Sequence, residues 1–165
     1  MKESTCCFTG HRALPENERE ALFKLLSLEI EKQIKLGKCI FCCGGALGFD
    51  TLAANAVLKL KEQYSHIKLL LFLPHKKQAS GFSDGERREY ERILSLADGV
   101  SYASSEYTYD CMFKRNRQLA DASSVCIAYL DKGSGGTLYT VKYARKNGLE
   151  IINLAKILRG IEDEN

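Results

Sequence analysis

Two kinds of hydrophobic pattern alternate along this chain. Residues 5–8, 39–43, 67–73 and 124–130 are short, nearly continuous apolar runs. Runs of that length read as strands covered on both faces. Between them, apolar positions recur at helical spacing. Leu22, Leu26, Ile30 and Ile34 repeat every fourth residue and predict one buried helix face. Pro15 suits the first turn of that helix, and Gly37 suits its end. Leu52, Ala56 and Leu60, with Ala53 and Val57 beside them, predict a second helix. Ser83 and Glu86 form the pattern of a capping box for a third, running to about Ala97. Asp110 is placed to cap a fourth over 111–122, and 138–147 predicts a fifth that Gly148 ends. Weaker strands are predicted over 99–103 and 150–153.

Strand and helix therefore alternate from end to end. That order implies an α/β protein: a single Rossmann-like domain with a mostly parallel sheet and helices on both faces. We expect one domain over 1–165, with 155–165 forming a terminal helix and an acidic tail. In such sheets ligands sit beyond the C-terminal ends of the strands.

Three polar turns fall on that edge. The first is Gly10, His11 and Arg12, which follow the first apolar run. The second runs from Gly44 and Gly45 to Gly48 and Asp50. The third is Ser134, Gly135, Gly136 and Thr137. Glycines before a helix leave its first N–H groups open to an anion, so the second and third turns read as phosphate cradles. Arg12 and Arg115 could add charge-assisted bonds, and His11 and Asn116 lie close to them in sequence. Asp50 could hold a ribose hydroxyl. The spacing Gly44-Gly45-x-x-Gly48 is not the dinucleotide fingerprint, and no lysine-bearing phosphate loop is present.

Bulk composition adds limits rather than direction. The 165 residues are 45% hydrophobic and 27% charged, ordinary for a globular domain. The net charge of +3 fits a small anionic ligand and is mild for nucleic acid. Seven cysteines sit mainly within apolar runs and read as reduced, buried hydrophobes. Cys39 and Cys42 are three apart on a strand, so they point to opposite faces and suit no metal. The three histidines are scattered, so no metal site is expected. No apolar run suits a bilayer, and we expect a cytoplasmic protein without a membrane partner.

Taken in order, Thr9-Gly10-His11-Arg12, Gly44 to Asp50, Arg115-Asn116-Arg117 with Asp121, and Gly135-Gly136-Thr137 resemble the YpsA-like branch of the SLOG superfamily. The resemblance covers residues 5–154 and implies a Rossmannoid fold with a pocket for a nucleotide-derived ligand. It implies no firm cofactor; candidates are ADP-ribose, an NAD derivative or a nucleoside phosphate. It also implies a homo-oligomer. In the related LOG phosphoribohydrolases a glutamate assists glycosidic cleavage, and Thr140 stands at its place here. A binding or sensor protein without turnover is therefore the first expectation, and no catalytic residue is assigned. The alternative is a hydrolase of a nucleotide N-glycosidic bond. The DNA-processing protein A branch, which binds single-stranded DNA, supplies a third reading with nucleic acid as partner.

Overall fold

The computed structural model describes residues 1–160. The expected terminal helix falls partly there, and the acidic end, 161–165, lies outside the described residues. Six strands form one sheet: β1 (Thr5–Gly10), β2 (Ile40–Cys43), β3 (Lys68–Leu73), β4 (Gly99–Tyr102), β5 (Val125–Tyr129) and β6 (Glu150–Asn153). All neighbours pair in parallel, in the order β4-β3-β2-β1-β5-β6. The helices are α1 (Arg19–Lys35), α2 (Phe49–Lys61), α3 (Asp84–Leu96), α4 (Cys111–Asp121), α5 (Gly136–Lys146) and α6 (Leu154–Leu158).

Right-handed crossovers dictate where these helices go. The chain steps outward from β1 to β4, which puts α1, α2 and α3 on one face. It then returns to β5 and steps the other way, which puts α4 and α5 on the opposite face. The two faces bury separate cores. Leu22, Leu26 and Ile30 of α1 and Ala53 and Val57 of α2 pack with Phe8, Phe41 and Leu71. On the other face Leu119 and Ala120 of α4 meet Val141 and Ala144 of α5 over Cys7, Cys42 and Cys126.

The period-four stripe of α1 is buried as expected, through Ile34. The helix starts at Arg19, later than Pro15 suggests, because Glu16–Glu18 form a 3₁₀ turn first. Ser83 and Glu86 complete the capping box in both directions, at 3.2 and 2.8 Å. Asp110 does not cap α4; its Oδ1 instead accepts from the Thr108 hydroxyl at 3.2 Å. All seven cysteines are free thiols and six are buried. Burial pushes the Cys42 thiol up to about 12, so it stays protonated and inert. Among the described residues no helix is long and apolar enough to cross a membrane.

Candidate functional site

The strand order reverses between β1 and β5. The loops leaving these two strands diverge and open a cleft of about 340 Å³ at their C-terminal ends. The cleft brings together Gly10, His11, Arg12, Asp50, Arg115, Asn116, Ser134, Gly135, Gly136 and Thr137. Gly44, Gly45 and Gly48 are not in its wall.

These three glycines have another task. Gly48 has φ +77, and a side chain there would overlap the Arg12 carbonyl. That close approach lets the Phe49 N–H donate to the His11 carbonyl at 3.1 Å. The start of α2 is thus tied to the end of β1. Gly45 (φ +72) leaves its side-chain space to Leu73. At Gly44 an added Cβ would stand 2.7 Å from Arg115 Nη1 and 3.0 Å from Asp50 Oδ2. The missing side chain therefore makes room for two buried charged groups.

Arg115 is 4% exposed. Its Nη1 donates to the Gly44 carbonyl, and its Nε donates to Asn116 Oδ1 at 2.8 Å. The guanidinium thus ties α4 to the turn after β2. Asp50 is 7% exposed and accepts the Ala46 N–H at 3.2 Å. Burial pushes its carboxyl up from 3.8 to about 6, against the pull of Arg115, of the Ala46 bond and of Arg12. Burial also lowers Arg115, against the attraction of Asp50. For both partners burial therefore outweighs their attraction, and no direct ion pair joins them.

His11 closes the two diverging loops across the reversal. Its Nε2 accepts the backbone N–H groups of Asp131 and Lys132, at 2.8 and 3.2 Å. That requires the neutral ring with its proton on Nδ1. Burial and the nearby Lys132 both lower its pKa.

The open polar ends lie elsewhere in the cleft. Helix α5 begins at Gly136, two residues before the sequence pattern suggests. Gly135 precedes it with φ +95, and no side chain caps this N-terminus. Its first N–H groups and the positive end of its dipole are left to the cleft. The Asn116 amide nitrogen faces Gly136, 3.9 Å from where a Cβ would be. Arg12 is exposed and has no hydrogen-bond or ion-pair partner among the described residues. Thr140 is buried, and its hydroxyl donates to the Gly136 carbonyl at 2.8 Å.

Thr9 and Ala46, which fall inside the quoted motifs, also line the cleft, and so do Phe8, Met112, Phe113 and Leu119, which sequence reasoning did not place there. Phe113 lies three residues before Asn116, so helical spacing alone puts it on the same face. Tyr107 and Tyr109 are 70% and 94% exposed and stand outside the cleft. Arg117 Nη1 donates to the Tyr139 hydroxyl at 3.0 Å. Among the described residues no group of three His, Cys, Asp or Glu could hold a metal.

The YpsA family model, described as the YspA SLOG family, matches residues 7–154. The chain belongs to this family. It is 33% identical over 138 residues to the uncharacterized SPbeta prophage-derived protein YoqJ of Bacillus subtilis, spanning 76% of this chain and 81% of that protein. It is 30% identical over 132 residues to a UPF0398 protein of Bacillus thuringiensis, spanning 78% and 72%. DNA processing protein A from Streptococcus pneumoniae has a similar fold, with TM-score 0.64 and 17% identity. The similarity covers 90% of this chain but 49% of that one. The Helicobacter pylori protein of the same name gives TM-score 0.65 and 17% identity, over 91% and 64%. This chain therefore spans about half of one and under two thirds of the other. The family and the Rossmann-like fold agree with the sequence resemblance, and the sheet is wholly parallel where mostly parallel was expected.

Proposed function

We propose that the cleft binds a nucleotide-type ligand and seats its phosphate at the start of α5. One observation carries this reading: an uncapped helix N-terminus and an arginine with no hydrogen-bond or ion-pair partner among the described residues meet at the strand-order reversal. Gly135, Gly136 and Thr137 would donate backbone N–H groups, and Arg12 would add a charge-assisted bond. Asn116 adds a neutral donor. Asp50, buried behind them, is an acceptor for a ribose hydroxyl. A volume of about 340 Å³ is at the low end for ligand pockets, which favours one nucleotide over ADP-ribose or NAD.

Binding without turnover is the preferred form. The hydroxyl of Thr140 is spent on the backbone, and threonine supplies no carboxylate for glycosidic cleavage. Among the described residues Asp50 is the one carboxylate in the cleft wall, so a glycosidase reading would rest on it.

Thermal unfolding with and without AMP tests the proposal. AMP at a hundred times its dissociation constant adds about 2.7 kcal/mol, a rise of roughly 5–10 °C for a chain of this size. Arg12→Ala should keep the melting temperature of the free protein and lose most of the AMP-dependent rise. No rise with any nucleoside monophosphate would sink the reading.

The Helicobacter pylori neighbour binds single-stranded DNA, which favours a second reading in which the same edge holds a strand. Titration with a short oligonucleotide would then show affinity falling steeply with salt.

A further inference from the structure

We propose that Phe113 is the platform on which the base of the bound nucleotide stacks. This rests on the nucleotide reading of the cleft and adds the residue that recognises the base.

Phe113 lines the cleft, yet it is 41% exposed. Phe113 is absent from both buried cores. It is nevertheless held in place from behind. Tyr139 meets it edge to face, with centroids 4.8 Å apart and planes at 75°. The Tyr139 hydroxyl accepts from Arg117 Nη1 at 3.0 Å. Tyr143 stacks on Tyr139 at 6.4 Å and 14°, and its own hydroxyl donates to Asp121 at 2.8 Å. The brace runs back and forth between α4 and α5. It therefore fixes the ring relative to the first turn of α5, where the phosphate would sit. Tyr139 is only three residues beyond Gly136, and Phe113 is one helical turn before Asn116. Ring and anion seat thus flank the same cleft.

An exposed aromatic ring gains from stacking on any base, because every base presents a π-face. Purines present the larger face, so this geometry prefers them over pyrimidines. Tyr107 and Tyr109 are more exposed but stand outside the cleft wall.

Calorimetric titration separates the possibilities. AMP, CMP and ribose 5-phosphate are titrated into the wild type and into Phe113→Leu, Phe113→Tyr and Arg12→Ala. Phe113→Leu keeps an apolar side chain of similar bulk but removes the ring. It should weaken AMP roughly five- to a hundredfold and leave ribose 5-phosphate unchanged. Phe113→Tyr should bind AMP like the wild type, and CMP should bind more weakly than AMP. Arg12→Ala should weaken AMP and ribose 5-phosphate together. If Arg12→Ala weakens AMP and Phe113→Leu does not, the stacking proposal is overturned while the cleft reading stands. Equal loss of AMP and ribose 5-phosphate in Phe113→Leu overturns it as well, since the ring would then only shape the cleft. If the wild type binds neither AMP nor ribose 5-phosphate, the cleft reading fails and the stacking proposal fails with it.

Discussion

Arg115→Ala should lower the stability of the free protein by about 3–5 kcal/mol, the usual cost of removing one partner from a buried charged network. For a domain of this length that is a fall of roughly 6–20 °C in melting temperature. The reasons are local. Without the guanidinium the Gly44 carbonyl loses its donor, which costs about 1–3 kcal/mol if nothing replaces it. Asp50 loses its main favourable charge, and α4 loses a tie to the turn after β2. Arg115→Lys should fall between the two, because one ammonium cannot reproduce the separate bonds from Nη1 and Nε. Urea unfolding of both variants measures this. If Arg115→Ala unfolds like the wild type, Arg115 is a ligand group and not a structural tie. A loss of ligand binding in Arg115→Ala would therefore mix damage to the fold with damage to the site. Arg12, exposed and without a hydrogen-bond or ion-pair partner among the described residues, is the cleaner probe.

The burial of Arg115 was legible and went unread. Cys111, Arg115 and Leu119 recur at intervals of four, and all three are buried. A charge inside an apolar helical stripe points inward, whatever chemistry its neighbours suggest. The strand-helix alternation carried the fold because each strand run is continuous and each helix has a stripe. Helix starts were less clear, since Pro15 and Asp110 are good residues for positions that local turns then occupied. The glycines of the second turn illustrate a deeper limit. Gly44, Gly45 and Gly48 look like a phosphate cradle in one dimension. Only the packing of Leu73, Arg115 and the Arg12 backbone against them gives the reason for the missing side chains. The third turn has no such neighbours: added Cβ atoms at Gly133 and Gly135 would meet nothing. Phe113 was hidden because a lone aromatic at helical spacing looks like core until its exposure is known.

Asp50→Asn should stabilise the protein at pH 8, by about 3 kcal/mol. The folded protein holds the Asp50 proton up to a pKa of about 6, whereas its ordinary value is 3.8. Between those two values the folded state binds a proton that the unfolded chain has released. The stability this gives is present in full below pH 4 and is lost as the pH rises through 6. Above pH 6 the carboxylate is ionised in a site where burial outweighs the attraction of Arg115. Asparagine resembles the protonated form, and its side-chain oxygen can still accept the Ala46 N–H. The advantage of the variant should therefore be largest at pH 8, a rise of roughly 6–12 °C, and vanish near pH 4. Melting curves of both proteins across that range decide it. A difference that does not vary with pH would mean that the carboxylate carries no burial cost. If the difference does vary, this chain keeps a destabilising charge where a neutral isostere fits. Strain of that kind is expected where a group is used, and Asp50 sits in the wall of the cleft.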